Sequence, residues 1–521
     1  MSKEIKITVV LNDEKSNIIL KREKEASVIV THDFSTTIMS TLLKNGLISG
    51  SFCGGRGDCG RCRVRFLKGA PIPTALERSV MTAEELRQGY RLSCMARPKD
   101  DCVIRLALIE EKKCAIITDM MHVTEEYDYN SQQKTVSVNR KAPVLNTGVF
   151  DINTGSYDMD ETVVAVDIGT TTIAMQLMEI GTGHIIDTYC EMNPQRAYGS
   201  DVLSRIRASC EGHREMLQQL VVRVLERGVK RFRERVCHIR CMCIAGNTTM
   251  EHLLMGYDVL SLGKSPFIPV ELGLQEYQSK NWEFPVWVTP GISAFVGGDI
   301  VAGLYALDML PGNIASKNKM LIDLGTNGEM AITDGMEIAV TATAAGPAFE
   351  GGAGAGIIGS DMIANVAELR RRGILDTTGL LEEPYFTEGI IVGDPPVRMC
   401  NKDIRDLQMA KAAVRAGMEI LWKKMGCPEI DRIYLAGGFG YYLDVEAAFQ
   451  IGLLPGQMRG TVSAVGNTAL AGAYHIGCDL LQDRTSKEKL EESLSSITSI
   501  NLAEQEEFEG LYVKYMDLRF L

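Results

Sequence analysis

SFCGGRGDCGRC, residues 51–62, places three cysteines and four glycines in twelve residues. Thiols this close either pair as disulfides in a surface loop or gather on a metal. The chain opens with MSKEIKITVV, charges followed by a strand-like run, without the apolar core of a secretory signal. It has no apolar run long enough to span a bilayer. The expected compartment is the cytoplasm, where thiols stay reduced and clustered cysteines serve metal or redox chemistry.

The spacing narrows the choice. Cys53, Cys59 and Cys62 read C-x5-C-x2-C, and Cys94 follows in RLSCMARP. Plant-type 2Fe–2S ferredoxins use C-x4-C-x2-C with a distant fourth cysteine. One extra residue in the first gap resembles the adrenodoxin-type variant. Four thiolates must converge on two irons, three of them from one wrapped loop. Gly54, Gly55, Gly57 and Gly60 permit the backbone angles such wrapping needs, and let N–H groups approach the sulfides. Structural zinc is the alternative, but it commonly pairs two short Cys/His units. Only Cys59 and Cys62 form one here.

The flanks read as one small α+β domain. IKITVVL and NIIL are β-branched runs expected to form a hairpin. TTIMSTLLKNG reads as a helix stopped by Gly46. RVRFLKG is a further strand, TAEEL starts a helix with a Thr cap, and CVIRLAL closes the unit near residue 108. Order and size resemble the β-grasp ferredoxin domain. Cys102 and Cys114 lie outside the ligand pattern, and Cys102 is read as packing within the last strand.

A length of 521 residues allows several domains, and a net charge of −12 with no basic run gives no sign of a nucleic-acid partner. Residues 109–160 are polar and weakly periodic, read as a linker with a small strand pair. Then an echo appears. Residues 163–175 read VVAVDIGTTTIAM and 320–332 read MLIDLGTNGEMAI. Each is an apolar run, Asp-x-Gly-Thr, and a second apolar run, expected as strand, tight turn and strand. The carboxylate ends the first strand and can hold magnesium through water. The turn offers N–H and hydroxyl groups to a phosphate. One such turn is weak evidence, whereas two imply related halves across a cleft. DRIYLAGGFGYYLD, residues 431–444, is a strand running into Gly437, Gly438 and Gly440. It suits either an approach to a flat ligand such as adenosine or a plain strand-to-helix turn.

Together these resemble the phosphate-1, phosphate-2 and adenosine motifs of the acetate and sugar kinase, Hsc70 and actin (ASKHA) superfamily. The resemblance covers about residues 161–480. It implies two RNase H-like lobes (161–315 and 316–480), so that with the β-grasp 2Fe–2S ferredoxin domain (1–108), a linker or reduced middle domain (109–160) and a C-terminal extension (481–521) the expected chain is multidomain α+β and α/β. It implies ATP and magnesium between the lobes. Asp167, Gly169, Thr170 and Thr171 match the first motif, Asp323, Gly325, Thr326 and Asn327 the second, and Gly437 and Gly438 the third.

With GNTTMEHLL (246–254), SPFIPV (265–270), GISAFVGGD (291–299), TAAGPAFEGG (343–352) and DIRDLQMAKAAVRAGMEIL (403–421), the whole chain resembles the reductive activators of corrinoid proteins. That resemblance implies an ATP-dependent activase. Its 2Fe–2S cluster, on Cys53, Cys59, Cys62 and Cys94, passes one electron to a partner corrinoid protein that has slipped from Co(I) to Co(II). It also implies an upstream low-potential donor and neither a nucleic-acid nor a membrane partner. The linker is short for this family, which leaves linker-mediated homodimerisation open. Two other classes remain: a small-molecule kinase with a regulatory ferredoxin, for which no base aimed at an acceptor hydroxyl stands out, and a non-catalytic module in which ATP sets conformation.

Other features read as structure. CHIRCMC (237–243) reads as a buried strand rather than a second cluster. GAGAGIIG (352–359) contains G-x-G-x-x-G at Gly354, Gly356 and Gly359, but lacks the preceding strand of a dinucleotide fingerprint and reads as a loop before a helix. Asp299 is either a cleft carboxylate or a helix N-cap, and the cap is the simpler reading. SKEKLEESLSSI is expected to be a charged surface helix.

Overall fold

A computed structural model describes residues 4–12, 26–33, 35–45, 57, 62–107, 123–128, 133–138, 161–236, 238–311, 318–325, 327–346, 349, 359–393, 396–456 and 461–519. The chain forms two compact units. Met1–Cys114 with Met192–Val224 and Gly256–Ser265 make the first, and Ala115–Glu191, Leu225–Met255 and Pro266–Leu521 the second.

The first unit is built on β1 (Glu4–Asn12), β2 (Ala26–Asp33), β3 (Arg63–Lys68), β4 (Tyr90–Leu92) and β5 (Cys102–Ala107), ordered β2-β1-β5-β3-β4 among the described residues. In β1, Ile5, Ile7 and Val9 are buried while Lys6 is exposed, the period-two pattern of a sheet with one covered face. The cover is the Ile38–Lys44 helix. Ile38 and Leu42, four residues apart and so on one face, pack with Ile7, Val9, Val64 and Ile104. The hairpin partner of β1 is β2, reading ASVIVTHD, whereas NIIL lies outside the described residues, as do Gly46 and Cys114. The helix expected at TAEEL is Ala83–Arg87, capped by Thr82 and Glu85 reciprocally. Cys102 is buried in this core.

Residues 123–138 carry a strand pair, β6 (Val123–Asp128) and β7 (Gln133–Val138), with the rest of 109–160 outside the described residues. The pair belongs to the second unit. β6 runs antiparallel to β20 (Thr461–Gly466) and extends its sheet.

The second unit repeats one design. Its first sheet holds β8 (Thr162–Ile168), β9 (Thr172–Glu179), β10 (Ile185–Met192), β11 (Ile239–Gly246), β12 (Gln275–Glu276) and β13 (Val286–Val288), ordered β10-β9-β8-β11-β13-β12 among the described residues. The other holds β14 (Lys319–Leu324), β15 (Asn327–Thr333), β16 (Ile338–Ala344), β19 (Arg432–Ala436), β20 and β21 (Thr498–Ile500), ordered β21-β16-β15-β14-β19-β20-β6-β7. A separate ribbon pairs β17 (Ile390–Val392) with β18 (Val397–Met399). In both halves an antiparallel hairpin, β8–β9 or β14–β15, lies beside a parallel strand, β11 or β19. The order third-second-first-fourth comes twice. β8 reads as a near-continuous apolar run because both its faces are covered.

Two helices cross the boundary drawn at residues 315 and 316. The Thr468–Leu481 helix, late in sequence, buries Ala469, Leu470 and Ala473 against Val163, Ala165 and Cys243 of the first sheet. The Gly298–Ala306 helix buries Ile300 and Leu304 against Leu321, Val340 and Ala436 of the second. The two helices meet at small residues: a Cβ at Gly472 would collide with the Ala302 carbonyl, and one at Gly303 would sit 2.9 Å from Thr468 Oγ1. Cys241, Cys243 and Cys478 are buried in this core, their thiols pushed up by burial, while Cys237 lies outside the described residues. Gly359 begins the Gly359–Arg371 helix, and Gly354 and Gly356 are not described. The Lys487–Leu494 helix follows a Ser486 cap and buries Leu490. Among the described residues no helix is long and apolar enough to cross a membrane.

Candidate cluster and nucleotide sites

Cys62 precedes β3 and Cys94 follows β4. These strands run antiparallel with Arg63 opposite Leu92, and the Ser93 N–H donates to the Cys62 carbonyl at 2.7 Å. The register therefore brings the two sulfurs to 3.1 Å, both buried. A disulfide would need ~2.05 Å, so these are neighbouring thiols. Glu77 fixes the turn: its carboxylate accepts from the Leu92 N–H at 2.9 Å and from the Thr74 N–H at 2.7 Å. The start of the Ile38–Lys44 helix closes the other side, with Ile38 N–H donating to the Ala96 carbonyl and Met39 N–H to that of Ser93. The hydrogen bond with Cys94 brings the Cys62 thiol down to about 6, against the opposing effect of burial. A buried thiol held as thiolate beside a second sulfur suits iron ligation. By contrast, burial pushes Cys102 up to about 11, as for an inert packing thiol. Cys53 and Cys59 lie outside the described residues, as do Gly54, Gly55 and Gly60. Gly57 has φ +83, and a Cβ there would press on Leu76 at 2.7 Å.

In the second unit, Asp167 is the penultimate residue of β8 and Asp323 that of β14. The first turn is tight, since a Cβ on Gly169 would lie 2.8 Å from the Thr172 carbonyl. Thr170 is buried and its Oγ1 accepts from Asn247 Nδ2 at 3.1 Å. In the second turn the Gly325 N–H donates to the Asn327 carbonyl at 2.9 Å. Thr171 belongs to the first turn, and Thr326 lies outside the described residues. Gly437 has φ +78, and a Cβ there would sit 2.5 Å from Asp323 Oδ1, so only glycine lets this strand end approach the aspartate. Gly438 faces open space. The pairing of Asp323 with Ala436 across β14 and β19 sets that approach.

Five further residues complete the cleft. Asn467 caps the Thr468–Leu481 helix by accepting from the Leu470 N–H, and donates to Asp167 Oδ2 at 2.8 Å. Asn247 does the same for the Thr248–Met255 helix, accepting from the Met250 N–H at 3.0 Å. Asp299 corrects the expectation of a cap. Gly297 holds the cap position without a side-chain bond, and Asp299 sits in the first turn of Gly298–Ala306 as a cleft carboxylate. Glu329 on β15 and Glu251 on the Thr248–Met255 helix are buried. Thr289 Oγ1 donates to Glu251 at 3.2 Å.

These carboxyls share one electrostatic field. Asp167, Asp299 and Asp323 keep part of their surface open yet lie deep in protein. Burial raises Asp167 to about 6, against the Asn467 hydrogen bond. Burial and then the Asp167 charge raise Asp323 to about 7. Burial, Asp323 and Asp167 raise Asp299 to about 8. Glu329 and Glu251 are pushed well above the ordinary range, first by burial and next by Asp299. Carboxyls that raise one another in this way suit a cation. Among the described residues no three such side chains converge to hold an ion directly.

Comparison with known proteins gives the family. The 2Fe-2S iron-sulfur cluster binding domain matches residues 23–99, the RACo middle region 162–311, and the C-terminal domain of RACo, the ASKHA domain, 317–355 and 352–520. The chain belongs to the RACo family. The family's middle region thus coincides with the first sheet and its helices. The chain is 28% identical over 379 residues to the Corrinoid activation enzyme RamQ of Eubacterium limosum, covering 60% of this chain and 63% of that protein, less than two thirds of its length. It is 22% identical over 417 residues to a [Co(II) methylated amine-specific corrinoid protein] reductase of Methanosarcina barkeri, covering 67% and 76%. A solved structure titled reductive activator for corrinoid, iron-sulfur protein matches over 98% of both chains, with TM-score 0.60 and 24% identity, and so shares the fold. The first domain is of the kind that binds a 2Fe–2S cluster, and the ASKHA domain is of the kind that binds ATP.

Proposed function

We propose that this RACo-family protein is an ATP-dependent reductive activator. It delivers one electron to the Co(II) corrinoid of a partner methyl-transfer protein and returns it to Co(I). The observation that carries this reading is the union in one chain of a thiolate-rich ferredoxin domain and a carboxylate-lined ASKHA cleft. The names of the relatives agree with it.

In this reading Cys53, Cys59, Cys62 and Cys94 hold the cluster, which supplies one-electron chemistry. Asp167 and Asp323 face magnesium through its waters. Gly169, Thr170, Thr171, Gly325, Thr326 and Asn327 surround the phosphates, and Gly437 and Gly438 leave room for the adenosine. A low-potential donor refills the cluster. Plant-type clusters lie near about −400 mV. If the cobalt couple is lower, each ~59 mV of gap costs one electron about 1.4 kcal/mol. Docking that alters cobalt coordination closes such a gap, and ATP turnover then resets the complex.

The test mixes the protein anaerobically with ATP, a low-potential reductant and a Co(II) corrinoid protein from the same genome. Co(II) absorption is expected to give way to Co(I), and to do so slowly or not at all without ATP. Equal rates with and without nucleotide across several partners would remove the coupling.

A further inference from the structure

The tripeptide Gly-Asn-Thr occurs at 246–248 and again at 466–468, each time where a strand ends and a helix begins. In both copies the asparagine Oδ1 accepts the N–H three residues on, 3.0 Å from Met250 and 2.8 Å from Leu470. In both copies the remaining amide group points into the same turn. Asn247 Nδ2 reaches Thr170 Oγ1 at 3.1 Å, and Asn467 Nδ2 reaches Asp167 Oδ2 at 2.8 Å.

The two arrive from different sheets. β11 pairs with β8 so that Gly246 lies opposite Ile168, which sets Asn247 beside the turn. β20 pairs with β19 so that Gly466 lies opposite Ala436, one residue before Gly437. Asn467 therefore leaves the strand next to the adenosine glycines and bonds to a carboxylate on the other sheet.

We infer that Asn247 and Asn467 are positioning residues for nucleotide binding, each using its cap to aim an amide at the 167–171 turn. Asn247 orients the Thr170 hydroxyl for phosphate. Asn467 holds the Asp167 carboxylate toward the ion and ties that hold to the strand carrying the adenosine glycines. A cap alone requires only the oxygen, and serine supplies one as well as asparagine does. The amide is the part that a purely structural role leaves unused. This inference rests on the reading of Asp167 as ion-facing.

Asn247→Ser and Asn467→Ser keep a capping oxygen and lose the amide donor, while Asn467→Asp keeps the cap and places a carboxylate against Asp167. ATP affinity is measured by calorimetry with and without magnesium, beside the melting temperature of the free protein. The serine variants are expected to melt like the parent. Asn467→Ser and Asn467→Asp should lose about tenfold or more in affinity, with the loss confined to magnesium-containing solution. Asn247→Ser should lose affinity with or without magnesium. Parental affinity in the serine variants, or losses that follow the melting temperature, would overturn the inference. If the parent binds ATP equally well without magnesium, the ion reading and the Asn467 role fall together. No corrinoid protein is present, so failure of the activation reading cannot produce any of these results.

Discussion

Asp323 and Glu329 stand directly opposite each other on β14 and β15, two carboxyls on one face of a strand pair. In the first hairpin the residue opposite Asp167 is Ala174. The repeated halves are therefore unequal, and the second turn carries the surplus acid. Glu329 is buried, and Asn327 Nδ2 reaches it only at 3.5 Å. Burial, Asp299 and Asp323 all push it toward the protonated form. These effects together favour the protonated form of the cleft carboxyls.

That gives a pH dependence of stability. Asp167, Asp323 and Asp299 rise from 3.8 to about 6, about 7 and about 8. The folded protein keeps protons that the unfolded chain has released, so stability falls as pH rises between the two values. Metal-free, nucleotide-free protein is expected to lose stability from these groups between about pH 4 and about pH 8. Asp299→Asn removes the largest of the three contributions. Its melting temperature relative to the parent should climb across that range, and a flat difference would show that Asp299 carries no such proton.

The two glycines proposed to leave room for adenosine separate by geometry. Gly437 needs its positive φ and lies where a methyl would press on Asp323, whereas Gly438 faces open space. Gly437→Ala is expected to lower stability by about 1 kcal/mol or more and to displace the aspartate. Gly438→Ala should melt like the parent yet weaken ATP binding, because its methyl enters the space left for the ligand. Melting curves and calorimetric titrations of the two variants give the comparison.

The crossing of the Gly298–Ala306 and Thr468–Leu481 helices depends on Gly472, whose Cβ would run into the Ala302 backbone. Backbone cannot swing aside as a side chain does. Gly472→Ala is expected to cost about 1–3 kcal/mol of stability, read by denaturant unfolding. Gly426→Ala, at a turn with nothing within 4 Å, is strained only by its φ of +76 and should cost less.

How much of this was legible in the sequence follows from distance along the chain. Each Asp-x-Gly-Thr turn is contiguous, so its strand, carboxylate and glycine could be read together. Cys62 and Cys94 were expected as ligands from their spacing, and the antiparallel pairing of β3 with β4 brings their sulfurs together. Asn467 reaches a partner 300 residues away, which no local pattern reports. Its one signal was the repeated Gly-Asn-Thr. Asp299 precedes an apolar helix and so resembles a cap, but Gly297 takes that place because a Cβ there would press within 2.5 Å of Asn247 Cα. The hairpin register that sets Glu329 against Asp323 was within reach of turn length alone. The packing of the Thr468–Leu481 helix on the earlier sheet was not, because an apolar helix face does not name the sheet it covers.

The cysteines give the last prediction. The β3–β4 register brings Cys62 and Cys94 together in a buried site, and their hydrogen bond favours thiolate at Cys62. In the proposed four-cysteine site, replacing Cys94 by alanine removes one ligand and the hydrogen bond that favours thiolate at the other. Anaerobically purified Cys94→Ala should fall from about two irons and two sulfides per chain, the content of a four-cysteine 2Fe–2S site, to almost none. Cys102→Ala is the matched control. That thiol is equally buried in the same unit, but burial holds it protonated and it packs in the β5 core. Its iron content should remain that of the parent. Both variants should bind ATP as the parent does, since Asp167, Asp323 and Gly437 belong to the other compact unit. Full iron in Cys94→Ala, or zinc in place of iron in the parent, would remove the four-cysteine assignment while leaving the nucleotide cleft as described.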